Sequence, residues 1–284
     1  MKIHENSSLS AECRLLPWTA PFLLRVNRVQ RSHPLQLDVP LLGSTHPSKE
    51  WLLSALCVVA LSVVAAQCAA VPRGTFTCDG VQVLSDELTR PEAQAYCRYA
   101  VRERQKVEGF WGPTWSASIR IHVSSAHHIS RALVPGHFGN RGLIEMPLRR
   151  TRENTGALLH EIVHIYAPHN NRFLAEGLAV YLHTTLAGNP AFPNFGEDLR
   201  RLAVRSLSGV KSLEALNRVR TPRPLGTVMD EQTSYILAGS FVGFLLERYG
   251  LALFHRLYET EHYEQVYGKS FETLETEWRL SLPE

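Results

Sequence analysis

The chain has 284 residues, 44% of them hydrophobic and 20% charged, with a formal net charge of +3. This balance, with no dense basic stretch interleaved with aromatics, gives no sign of nucleic-acid binding. The sequence carries no repeat and no low-complexity tract, and residues 71–284 suffice for one compact unit with two lobes.

Residues 1–50 contain Pro17, Pro21, Pro34, Pro40 and Pro47 with Arg14, Arg25, Arg28 and Arg31, and show no sustained period. They read as an extension outside the core, either a mis-assigned start or a disordered cytoplasmic tail. Residues 51–70 then run without a charge after Lys49, and small residues crowd their end: Ala65, Ala66, Cys68, Ala69 and Ala70. An apolar stretch ending this way reads as a secretory signal, with a single membrane anchor as the alternative. Gln67 stands where lipoprotein cleavage before Cys68 wants a small residue, which makes lipidation the minor option. The expectation is an exported protein: secreted, periplasmic or associated with the cell envelope. Cysteine usage agrees. Cys13, Cys57 and Cys68 fall before or at the cleavage region, leaving Cys78 and Cys97 as a pair. In an oxidising compartment they would close a loop worth about 3 kcal/mol; two buried free thiols are the other reading.

Farther along, residues 91–109 are polar and amphipathic and predict a helix. Residues 118–123 alternate like a strand with one buried face, and residues 142–146 form a second strand candidate. Between them His127, His128 and His137 share a stretch with Pro135, Gly136 and Gly139, which reads as a flexible rim rather than a second metal site. Beyond Glu176 the pattern is nearly all helical. The fold class expected is therefore α+β, a small N-terminal lobe (71–150) with a mixed sheet and a mostly helical lobe (151–284).

The stretch His160-Glu161-Ile162-Val163-His164 carries the chemistry. Residues four apart on a helix stand one turn above the other, so both imidazoles reach a single ion, while Glu161 stands beside it as a general base. Neutral imidazoles suit Zn²⁺, whose catalytic sites take three protein ligands and keep one position open. The helix is mostly apolar, a poor place to leave these groups unpaired. Asn154 or Thr155 is its expected cap, and Pro168 with Asn170 and Asn171 ends it. An extended histidine pattern would need Gly at 167 and His at 170, where Ala167 and Asn170 stand, so His169 is a poor third ligand. Glu176, twelve residues after His164 on a second apolar helix opening near Arg172, fits better.

HEIVH followed by Phe173-Leu174-Ala175-Glu176-Gly177-Leu178-Ala179-Val180-Tyr181 resembles the gluzincin branch of the zincin metallopeptidases, and specifically the peptidase MA-like group. The run from Tyr235 to Gly250 is similar to that group's helix after the site, and Tyr267-Gly268-Lys269-Ser270 with Glu277-Trp278 to its closing segment. The resemblance covers roughly residues 140–282 and implies a zincin-like fold with the zinc site on the central helix between two lobes. It also implies that the strand at 142–146 is an edge that holds extended peptide by main-chain pairing. The Gly-x-Met-Glu-Asn motif of aminopeptidases is only approximated by residues 142–146. Ala179 and Val180 stand where thermolysin-like enzymes place an Asp, so neither specificity carries over.

The mechanism expected is peptide hydrolysis with one Zn²⁺ held by His160, His164 and Glu176, and Glu161 moving the proton. Tyr235 is the candidate second electrophile for the oxyanion, with His137 and His169 as weaker ones and a packed tyrosine as the plain alternative. Tyr181 reads as core, and Arg218, Arg220 and Arg223 as surface charge. A peptide or protein is the expected partner. A catalytically inactive zinc- or peptide-binding envelope protein, or a structural protein without metal, are the readings of other classes; the intact Glu161 speaks against the former.

Overall fold

The computed structural model describes residues 74–112, 119–133 and 142–284. The N-terminal extension, the apolar stretch at 51–70, Cys13, Cys57, Cys68, Ser118 and His137 lie outside the described residues. No helix among the described residues is long and apolar enough to cross a membrane.

Five short strands form one mixed sheet: β1 (Thr75–Cys78), β2 (Val81–Leu84), β3 (Ile119–Ser124), β4 (Arg131–Leu133) and β5 (Leu143–Pro147), in the order β1-β2-β3-β5-β4. The inner pairs β2–β3 and β3–β5 are parallel; the outer strands β1 and β4 run antiparallel to their neighbours. Alternation decides the faces. Val81, Val83, Ile119, Ile121, Val123, Ile144 and Met146 are buried on one side, while Gln82, Leu84, Arg120, His122 and Glu145 stand half-buried on the other.

The long helix α1 (Arg90–Trp111) belongs to the buried side. Thr89 and Glu92 close a capping box at its start and Pro91 occupies the first turn, where a missing N–H costs nothing. Its buried residues Ala93, Tyr96, Cys97, Ala100, Val107 and Trp111 recur at helical spacing. A disulfide joins Cys97 to Cys78 of β1 with the Cα atoms 6.2 Å apart, so the bonded reading of the two cysteines holds.

Helices make up the rest: α2 (Leu148–Glu153), α3 (Leu158–Tyr166), α4 (Arg172–Leu182) continued by a π-helical turn (His183–Ala187), α5 (Leu199–Ser206), α6 (Glu214–Asn217), a 3-10 turn (Leu225–Thr227), α7 (Glu231–Tyr249), α8 (Leu251–Thr260), α9 (Tyr263–Tyr267) and α10 (Phe271–Ser281). The α+β class with a mixed sheet and a mostly helical C-terminal part stands. Buried through most of its length from Ser234 to Leu246, α7 runs through the helical part; Trp278 of α10 donates to the Ser240 hydroxyl at 3.1 Å and packs on Phe241.

Two sequence expectations change. The strand at Leu143–Pro147 is not an edge: β3 pairs with it on one side and β4 on the other. The outermost described strand on that side is β4, whose three residues are too short and too mixed to show alternation. The metal-motif helix also starts later than Asn154 or Thr155. The polar run before it forms α2, Asn154 ends that helix in the left-handed region (φ 53°), and α3 begins after Ala157 with no side-chain cap.

Candidate metal centre

The chain turns between α3 and α4 over five residues, and polar contacts fix that turn. Pro168 has no N–H to continue α3. The His169 ring donates from Nε2 to the Tyr258 carbonyl at 2.6 Å and accepts the Asn171 N–H on Nδ1 at 3.0 Å, which occupies both nitrogens. His169 is thus a brace for the turn and leaves no nitrogen for a metal or an oxyanion. Asn171 caps α4 by accepting the Leu174 N–H, and its amide donates to Asn217 and to Glu261. These ties lay α4 back against α3.

Three side chains converge there. His160 Nε2 lies 3.0 Å from Glu176 Oε2, His164 Nε2 lies 3.2 Å from the same oxygen, and the two ring nitrogens are 3.1 Å apart. Among the described residues this is the one group of three or more possible metal-ligating side chains, and all three are buried. Four-coordinate zinc with ligands at 2.0–2.1 Å keeps them about 3.3 Å apart, close to this spacing. Two imidazole nitrogens and a carboxylate oxygen gathered away from water also form a set of electron-pair donors that one cation satisfies at once. The residues present fit zinc.

The other oxygen of Glu176 meets the guanidinium of Arg172, one turn earlier on α4. Burial acts to raise the Glu176 carboxyl, but His164, Arg172 and the hydrogen bonds from both histidines outweigh it and hold it well below the usual carboxylate range. Glu161 has the opposite balance. Burial pushes its carboxyl up, against the pull of His160 and of hydrogen bonds from the Ser130 side chain and the Ala132 N–H. Ser130 and Ala132 place the edge strand β4 directly against this carboxylate, a contact nothing in the sequence announced.

Tyr235, at the start of α7, reaches the same place. Its ring lies nearly parallel to that of His160 (centroids 6.3 Å, 18°), Phe192 packs on it edge-on, and Arg172 hydrogen-bonds to its hydroxyl. Burial, with Glu176 close by, pushes the phenol far up, so it stays protonated. Tyr181 faces away, packed on Gly243 of α7 and bonded to Glu247. Arg218 pairs with Glu214 and Arg220 with Glu261, on the surface. His127 sits between His122 Nδ1 (3.0 Å from its Nε2) and Glu145 (3.7 Å from its Nδ1), so these groups flank one ring instead of converging on a point.

No family model matches the chain, and no curated protein matches it. Solved structures do. An M1 zinc metallopeptidase from Deinococcus radiodurans is 17% identical over 72% of this chain and 49% of its own, with a TM-score of 0.41. A point mutant of that enzyme bound to a Tyr-Ser-Ala substrate is 17% identical over 69% of this chain and 43% of its own, with a TM-score of 0.40. A two-domain M1 zinc metallopeptidase mutant bound to L-arginine is 16% identical, with the same coverage and a TM-score of 0.38. The chain spans about half the length of these structures or less.

Proposed function

We propose that the chain is a zinc-dependent peptidase of the zincin type. The observation that carries this reading is the convergence of His160, His164 and Glu176 within 3.2 Å, with the buried carboxylate of Glu161 on the same helix. Zinc held by those three residues supplies Lewis acidity and makes water a nucleophile near neutral pH.

The chain's own groups do the rest. Glu161 takes a proton from the attacking water and passes it to the leaving amine nitrogen; burial raises its pKa, which makes it a better base. Arg172 fixes Glu176 in one orientation and spares it from protonation. Tyr235, kept neutral, donates its O–H to the oxyanion as it develops. An extended peptide pairs with the outer edge of β4, the role first expected of residues 142–146. The apolar stretch at 51–70 and the Cys78–Cys97 bond favour export, by secretory signal or by anchor. A zinc- or peptide-binding protein without turnover is the second reading, and the retained Glu161 weighs against it.

The deciding experiment is metal content of the purified full chain after zinc is supplied, with His160→Ala alongside. About one zinc per native chain, lost in the variant, supports the site. Folded native protein that takes up none ends the peptidase reading.

A further inference from the structure

Two buried ring nitrogens have no hydrogen-bond partner among the described residues: Nδ1 of His160, in the metal centre, and Nδ1 of His183. His183 follows Glu176 by seven positions, two helical turns along the same face, and opens the π-helical turn that packs against α3. His160 lies near enough to act on the His183 ring electrostatically.

The two nitrogens have complementary character. His183 Nε2 lies 3.3 Å from the carbonyl oxygen of Asn189, which only accepts, so the ring proton sits on Nε2 and Nδ1 keeps its lone pair. Burial holds the His183 pKa down to about 4, which keeps the ring neutral at pH 7. His160 has the reverse problem. When its Nε2 lone pair is given to a metal, the remaining proton is forced onto Nδ1, leaving a buried donor that wants an acceptor. Asn189 ties the two rings to one frame, because its side-chain amide donates to the carbonyls of Asn154 (3.2 Å) and Gly156 (3.0 Å) in the segment that leads into α3.

Resting on the zinc reading above, we propose that His183 is the positioning residue for His160: its Nδ1 accepts the His160 Nδ1 proton through one bridging water. The imidazole of the first ligand is thereby fixed in tautomer and in ring rotation. The acceptor is neutral, so it adds no negative charge to a centre where Glu176 already needs Arg172 to balance it.

The test is zinc affinity of the full chain, measured by competition with a chromophoric chelator, for the wild type, His183→Phe and His183→Asn. Phenylalanine keeps the ring volume without an acceptor; asparagine keeps an acceptor near the place of Nδ1. The phenylalanine variant is expected to bind zinc about 10–100-fold more weakly, with asparagine restoring most of the loss. Equal affinity in wild type and His183→Phe overturns the proposal, as does an equal loss in both variants. A second measurement needs no variant: two-dimensional nitrogen–proton NMR of the zinc-loaded wild type. It should report His183 protonated on Nε2 and His160 on Nδ1, and a His183 proton on Nδ1 overturns the link. If the wild type takes up no zinc, the metal reading falls and this link with it; if it binds zinc and the variants match it, only the link falls.

Discussion

Helix α4 has two working faces built on opposite principles. Toward α7 it is made of absences: a Cβ on Gly177 would lie 2.5 Å from a Val242 methyl and 2.7 Å from the Ala238 carbonyl oxygen. Gly239 and Gly243 of α7 give the same close approach to Val180 and Tyr181. Toward α3 the contact is made of costly groups, Glu176 against His160 and His164, one residue away from Gly177. The glycine face depends on shape alone and is indifferent to pH or metal. The polar face depends on what fills it, and the rigid packing behind it is what keeps three donors from moving apart to find water.

The two faces should break differently. Glu161→Gln acts on the polar side without touching its shape: turnover of a peptide substrate should fall about 10²–10⁴-fold while zinc content and melting temperature hold. Retained activity would remove Glu161 from the chemistry. Acid should also strike the polar side of the metal-free protein. The His183 pKa is lowered to about 4 from 6.5 on folding, so the unfolded chain takes up a proton first. The stability this adds, about 3 kcal/mol at most, is complete above pH 6.5 and is lost as pH falls toward 4. Denaturant midpoints of wild type and His183→Asn across that range check it, with the variant's slope expected to be flatter. Gly177→Ala should cost about 1–3 kcal/mol through overpacking. Thermal unfolding should show that cost equally at every pH and with or without zinc. A loss confined to the zinc-loaded form would mean that the two faces are coupled.

Much of this arrangement is legible in the sequence, for physical reasons that differ by element. The four-residue spacing of His160 and His164 forces them onto one face of any helix, and Pro168 with Asn170 and Asn171 predicts the turn that brings Glu176 back. Long elements such as α1 and β3 carry enough periods to be read. The strand β4 carries none, so the contact of Ser130 and Ala132 with Glu161 has no local signature, and the family resemblance puts the edge at the residues of β5 instead. The start of α3 falls later than the sequence suggests because Asn154, a good cap residue, closes the previous helix instead. His183 was invisible because its partner, a backbone carbonyl, has no sequence identity.

The turn from Ala167 to Asn171 has a consequence for the order in which the protein is made. All three donors exist once residue 176 has been added, yet the distant ties described for that turn come from later in the chain. Tyr258 holds the Ala167 carbonyl and the His169 ring, Asn217 and Glu261 hold Asn171, and Arg220 bridges to it through the backbone. A nascent chain that has reached residue 176 therefore carries the three donors before Asn217, Arg220, Tyr258 and Glu261 exist to brace the turn. The bracing of this turn therefore waits until residues 217–261 have been added.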